Sequence, residues 1–440
     1  MDEENHVVDL ESAVPNPRKS IANLRGSAYD LNSAIADLID NAIEAQSRNI
    51  RLNFDLNGGW ITILDDGLGM DTVTHRESMK LASETREYHV DNLGKFGSGM
   101  KAASLSLGKS LTVATKSAQA DLVTVRRLDE DHVADTNDWA VATQVLSVEA
   151  VPKFALEALE KNGHGTCIIL AKLDKAYGSI GTAPPSSSRV MQHLEELETH
   201  LGLVFHRFID GSYRGKSVKL YINDTRVSGW DPYCLKADLT EPTRIFPERE
   251  VPLGKGNKIQ LQGYSLPKKD EFRDDAEHRV AGGPKKWNDS QGFYVYRNGR
   301  LIRWGGWLRT RSSDEHTKLA RISLDFDGSQ DELFSVNIAK SAVELPKQLR
   351  DMLTPYIKQV VDAAQERYRS GNKKPSIPKP PGGGATRPPV VRAYRANDLA
   401  TIIASFLQDE PETLDQLKRA VTDSEPALAT QIRWELRTDG

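Results

Sequence analysis

Four short strings carry residue types that could bind a nucleobase and phosphates. Asp37 and Asn41 stand four apart in a segment with helical spacing, so carboxylate and carboxamide stack one turn apart on one face. By themselves the two are equally a solvated polar edge. Asp65-Asp66-Gly67-Leu68-Gly69-Met70 follows a strand-like run. Gly67 and Gly69 let the backbone turn tightly and approach a ligand, and a strand-end carboxylate can accept from an exocyclic amine. Adenine offers that donor where guanine offers an oxygen, so Asp65 would select adenine. Gly94-Lys95-Phe96-Gly97-Ser98-Gly99 then runs into a helix-like segment, Met100–Leu107. Bare N–H groups at a helix start, flanked by Lys95 and Lys101, suit phosphates. Last, Gly163-His164-Gly165-Thr166 enters another strand-like run. Thr166 could support the nucleobase carboxylate, and His164 reads as a structural loop residue. Each string alone is an ordinary turn or loop.

The elements that must hold these strings are legible in the periodicity. Ala34, Ile35, Leu38, Ile39, Ala42 and Ile43 make one apolar stripe, predicting a helix over 29–47. Two strands are expected at 50–56 and 60–64, joined by Asn57-Gly58-Gly59. Further strands are expected at 111–115, 122–127, 139–148 and 166–170. A second α/β unit is read from a helix near 189–208, with strands near 218–222, 259–264, 293–296, 322–326 and 334–338. A helix over 346–369 closes it. The charged stretch 267–288 reads as a mobile loop, and Trp304, Trp307 and Trp287 as packing residues. Residues 370–392 hold six Pro, four Gly and five Lys or Arg with no acid, the composition of a flexible linker. Helical spacing returns beyond 394.

Composition narrows the class. The 440 residues carry 58 Lys+Arg against 62 Asp+Glu, so net charge names no polyanionic partner. The longest apolar run is five residues, Cys167–Ala171, against the ~20 needed to cross a bilayer. Two cysteines cannot build a disulfide framework. The acidic start, Met1-Asp2-Glu3-Glu4, does not read as a signal peptide. A cytoplasmic protein is expected, and the absence of a Gly-Lys-Ser/Thr loop argues against a P-loop NTPase.

Taken together and in this order, the strings resemble the ATP site of the GHKL superfamily: gyrase B, heat-shock chaperone ATPases, histidine kinases and MutL, with MORC ATPases as close kin. Phe334-Ser335-Val336-Asn337-Ile338-Ala339-Lys340-Ser341 resembles the transducer stretch in which MutL-type and MORC-type proteins place a lysine on the γ-phosphate. Trp230-Asp231-Pro232 and residues 291–298 resemble prokaryotic MORC-like ATPases of restriction or anti-phage systems. The resemblance implies an α/β chain: a Bergerat-type (GHKL) sandwich domain over 1–175 and a ribosomal-S5-like transducer over 176–369. A basic linker over 370–393 and a small helical module over 394–440 follow. It further implies ATP and Mg²⁺ as ligands. Asp65 would read adenine, with Gly67, Gly69 and Met70 shaping its pocket and Thr166 behind it. Asn41 would hold Mg²⁺. Lys95, Gly97, Ser98, Gly99, Met100 and Lys101 would cradle phosphates, with 72–95 as a lid. Asp37 would be the general base and Lys340 would reach the γ-phosphate.

Relatives carry Glu where this chain has Asp37, a reach shorter by ~1.5 Å, which implies slow hydrolysis or a helix closer to the nucleotide. The implied function is an ATP-gated homodimeric clamp acting on DNA. Nuclease or helicase partner subunits would contact 394–440. The alternative is an ATP-gated interaction module that barely hydrolyses. A sensor kinase is disfavoured, because His6 is the only histidine before Asp37. A general chaperone is also disfavoured, because its middle and dimerising domains would not fit.

Overall fold

In the computed structural model, residues 15–26, 29–55, 59–80, 93, 99–143, 151–177, 186–254, 256–334, 344–370 and 419 are described below. The chain divides into two compact units, 1–372 and 373–440. The first holds both sheets.

The first sheet has eight strands: β1 (Asn49–Asp55), β2 (Trp60–Asp65), β3 (Ser110–Lys116), β4 (Thr124–Asp129), β5 (Ala142–Thr143), β6 (Gly165–Ala171), β7 (Lys219–Ile222) and β8 (Thr225–Arg226). Their order is β5-β4-β3-β6-β2-β1-β7-β8, antiparallel throughout except for the β1/β7 pair. The second sheet is built from β9 (Arg244–Ile245), β10 (Arg249–Gly254), β11 (Asn257–Ser265), β12 (Gly292–Arg297), β13 (Arg300–Trp304) and β14 (Ala320–Phe326). It runs β10-β11-β14-β12-β13, with β9 on β11.

Helices α1 (Pro17–Arg25), α2 (Leu31–Glu44), α3 (Thr72–Ser78) and α4 (Gly99–Leu107) belong to the first sheet's body. After α5 (Glu130–Thr136) and α6 (Lys153–Asn162), α7 (Ser187–Val204) packs on α2 and also on β13. The apolar stripe of α2 is buried with Ile50, Leu52, Ile61 and Ile63 of the sheet and Leu105 of α4. Burying one such aliphatic side chain contributes roughly 1.5–3 kcal/mol, so the stripe, not helix propensity, fixes α2 in place. Asp30 caps α2, its carboxylate accepting from Ser33 N at 2.8 Å while Ser33 Oγ bonds back to Asp30 N. Its end comes at Gln46, whose φ of 64° leaves the helical region.

Three expectations need correction. The strand at 218–222, read as part of the second unit, pairs with β1 and extends the first sheet. Local pattern marks a strand, but the partner it pairs with is chosen by long-range packing. The charged stretch 267–288 is not a loop: it contains α8 (Asp275–Ala281), capped by Asp274, after the short helical turn His206–Ile209 that follows α7. Trp287 anchors it, its ring 4.7 Å from that of His278 and its Nε1 donating to His278 O at 3.0 Å. Trp307 is buried and donates to Gln291 Oε1 at 3.0 Å, a packing role like that of Trp287. Of the expected strand 139–148, the described part is a strand only at Ala142–Thr143. The expected strand 334–338 lies outside the described residues beyond Phe334, which is buried and stacked on Phe326 at 4.3 Å. Residues 347–369 form the closing helix, α9 (Lys347–Arg369), with Pro346 at its cap.

Candidate nucleotide site

The edge where β2 ends gathers Asp65, Gly67, Gly69, Met70 and Thr166. Asp65, the last residue of β2, is 6% exposed. Its Oδ1 accepts from Ser47 Oγ at 2.9 Å and from Gly67 N at 2.8 Å. Burial pushes the carboxyl up to about 6, against the pull of the Gly67 N–H and the Ser47 hydroxyl. A buried carboxylate this costly to ionise is a candidate functional residue.

The loop after Asp65 is pressed onto its neighbours. Leu68 N donates to Ala45 O at 2.9 Å, and a Cβ on Gly67 would lie 2.7 Å from that same oxygen. Gly69 has φ +66°, and a Cβ there would sit 1.8 Å from Lys116 O, so only glycine fits. Met70 N donates to Thr115 Oγ1 at 3.0 Å, and Thr115 donates to Gly165 O at 2.9 Å. Thr166 Oγ1, 3.0 Å from Thr115 Oγ1, is therefore the donor in that pair. The hydroxyl of Thr166 thus goes to Thr115, while Thr166 pairs across strands with Asp65 itself. His164 Nδ1 lies 2.7 Å from Gly67 O, so it carries the proton and ties the two glycine loops together, a structural task.

Helix α2 links this edge to the second candidate group. Asp37, Asn41 and Ala45 follow one another at four-residue steps, each ~6 Å further along the axis. Ala45 touches the Asp65–Gly67 loop, and Asp37 lies two steps away. Asp37 is 4% exposed, with Oδ2 accepting from the Tyr29 hydroxyl at 2.6 Å and Oδ1 from Arg300 Nη1 at 2.8 Å. The carboxylate raises the Tyr29 phenol, but burial raises it more. The same Arg300 nitrogen reaches Asp40. Asn41 Nδ2 is enclosed and has no hydrogen-bond partner among the described residues.

Gly99 opens α4, with open space where a Cβ would be; Met100 packs against the α2 core. Lys101 is 2% exposed and donates to Ser78 O at 2.7 Å, joining α4 to the end of α3. Lys95, Gly97, Ser98 and Lys340 lie outside the described residues. Sequence reasoning missed Tyr29, Ser47, Thr115, Asp40 and Arg300. Only Arg300 left a signal, the Asn298-Gly299 hairpin pair just before it. Among the described residues, no cluster of three His, Cys, Asp or Glu could hold a metal by itself. No helix among them is long and apolar enough to cross a membrane.

Residues 29–166 match the family described as histidine kinase-, DNA gyrase B- and HSP90-like ATPase. The mixed α/β body with its eight-stranded sheet is consistent with that domain. The chain carries a GHKL-type ATPase domain, and it is MORC-like. It is 27% identical over 227 residues to the ATPase morc-1 of Caenorhabditis elegans, a match covering 49% of this chain and 24% of that one. It is 30% identical over 140 residues to the human ATPase MORC2, covering 29% of this chain and 14% of that protein. The mouse ATPase MORC2A matches to the same extent. The chain spans about a quarter or less of the length of the curated relatives it matches. The family match supports ATP binding.

Proposed function

We propose that the protein binds ATP with Mg²⁺ and hydrolyses it slowly, using the Asp65 edge for the base and the Asp37 end of α2 for the reaction. The observation that carries this reading is the Asp37–Asn41–Ala45 ladder, whose foot at Ala45 packs on the Asp65–Gly67 loop. From Ala45, beside the loop of the base-reading carboxylate, to the candidate general base the chain rises ~12 Å along the axis of α2, the scale of a nucleoside triphosphate. Asp65 accepts the adenine amine, and Gly67 and Gly69 keep the loop flat against Ala45 and Lys116. The α4 start presents N–H groups to phosphate.

Mg²⁺ keeps several waters and takes few protein oxygens, and the side-chain oxygen of the Asn41 carboxamide would be one such ligand. When bound, the ion neutralises phosphate charge. Asp37 takes the proton of the attacking water. Lys340 reaches the γ-phosphate, and two copies close as an ATP-gated clamp on DNA, with 394–440 meeting partner subunits. The division at 1–175, 176–369, 370–393 and 394–440 belongs to this reading.

A second reading, an ATP-gated module with negligible hydrolysis, draws on one observation: both Asp37 oxygens already hold donors. Single-turnover assays separate the two. Asp37→Asn is expected to bind a non-hydrolysable ATP analogue as wild type does and to lose ~10²–10⁴ in rate. Equal, background-level rates in wild type and Asp37→Asn would refute hydrolysis. Sizing with and without the analogue tests the clamp, and an unchanged size refutes it.

A further inference from the structure

The second sheet sends one hairpin into the ATPase body. Between β12 and β13 stand two residues, Asn298 and Gly299, with φ of 49° and 81°. That is the turn whose twist suits a two-residue hairpin, and both positions need a left-handed backbone. The tip is pressed on Tyr213, which packs against the first core: a Cβ on Gly299 would lie 2.4 Å from its ring. The residues flanking the turn, Arg297 and Arg300, pair across the strands and are each 4% exposed. A guanidinium with so little water must be matched by acceptors. Arg297 finds Asp331 at 2.6 and 2.9 Å and Leu93 O, in the expected lid, at 2.9 Å. Arg300 finds Asp37 and Asp40, both on α2.

This contact has a consequence for the reaction. Asp37 and Asp40 are buried carboxylates three residues apart, which places them as neighbours on the helix surface. Between them Arg300 supplies the opposing charge; its own pKa is opposed by burial yet held above the ordinary value by Asp40 and Asp37. The Tyr29 hydroxyl on Oδ2 and Arg300 Nη1 on Oδ1 hold the plane of the Asp37 carboxylate from both sides. Without the guanidinium the two carboxylates repel, and Asp37 Oδ1 loses its Arg300 donor. We propose that Arg300 is the positioning residue for the Asp37 carboxylate, so that the base is aligned only while the β12–β13 hairpin of the second sheet is seated. This deepens the hydrolytic reading and rests on it. Asp37, shorter than the glutamate of relatives, has less freedom to correct its angle, and a base displaced by ~1 Å loses ~100-fold in rate.

The test uses the full chain with Arg300→Lys, Arg300→Met and Gly299→Ala. Each is assayed for affinity to a non-hydrolysable ATP analogue and for single-turnover ATP cleavage. Arg300→Met is expected to cleave ~100-fold more slowly while the analogue's Kd stays within ~3-fold. Arg300→Lys, which keeps the charge, recovers ~10-fold of that loss. Gly299→Ala, which touches neither carboxylate but unseats the tip from Tyr213, slows cleavage with affinity retained. If Arg300→Met does not fold, the other two variants decide the matter. Asp37-dependent cleavage at wild-type rate in both Arg300→Lys and Gly299→Ala overturns the positioning role and leaves the hydrolytic reading standing. A parallel loss of affinity and rate also overturns it, since a merely structural contact behaves so. Cleavage that Asp37→Asn does not slow overturns both.

Discussion

Replacing Asp65 by Asn separates what the carboxylate does for the nucleotide from what its charge costs the fold. The folded carboxyl sits at about 6, from an ordinary value of 3.8, because burial outweighs the Gly67 and Ser47 donors. The folded value is the raised one, so the stability associated with protonated Asp65 is whole below pH ~4 and is lost as pH rises through about 6. Two units at ~1.4 kcal/mol each set that loss at ~3 kcal/mol. Asparagine cannot ionise and its Oδ1 can still accept from Ser47 and Gly67. Asp65→Asn is therefore expected to be ~1–3 kcal/mol more stable than wild type at pH 8, the gap closing toward pH 5. Urea midpoints at the two pH values measure this. Binding moves the other way. On the proposed reading ionised Asp65 accepts the adenine amine, so wild-type affinity for an adenine nucleotide is expected to fall ~10-fold per pH unit below about 6. Asp65→Asn binds weakly throughout and lacks that step; subtracting its profile removes the titration of the phosphates themselves. Parallel profiles in wild type and variant, or a variant less stable at pH 8 than wild type, would refute the reasoning.

Two further expectations follow from contacts at the site's supports. Gly69→Ala places a Cβ 1.8 Å from Lys116 O at φ +66°, and should lower stability by more than ~2 kcal/mol, read as a fall in Tm. Arg297→Met leaves Asp331, 3% exposed, without its guanidinium. A loss of ~3–5 kcal/mol is expected from urea unfolding. It should come with faster hydrogen exchange at Leu93, whose carbonyl Arg297 holds.

Much of the site was legible because its signals are local. The α2 stripe needs only a 3.6-residue period, and that period also stacks Asp37 on Asn41. Asp65 announces itself at the end of an apolar run, followed by glycines that only a tight loop requires. The helix of residues 31–44 and the strands 49–55, 60–65, 110–116 and 165–171 all fall within a few residues of expectation. Lys101 reads as a phosphate flank from its neighbours, yet its ammonium runs to Ser78 O. A long side chain's direction is set by what packs around it, and the sequence does not show that.

The sequence by itself determined which residues stand one turn apart on α2, which strand ends in a carboxylate, and where only glycine turns the chain. Periodicity and backbone sterics act over a few residues, so they can be read along the chain. Only the tertiary structure decided that residues 219–222 join the first sheet. Only it brought Arg300, 263 positions from Asp37, into the same buried ion cluster. Strand pairing and buried charge pairing are selected by packing between distant segments. The reach of the second sheet to the Asp37 end of α2 is therefore a property of the fold.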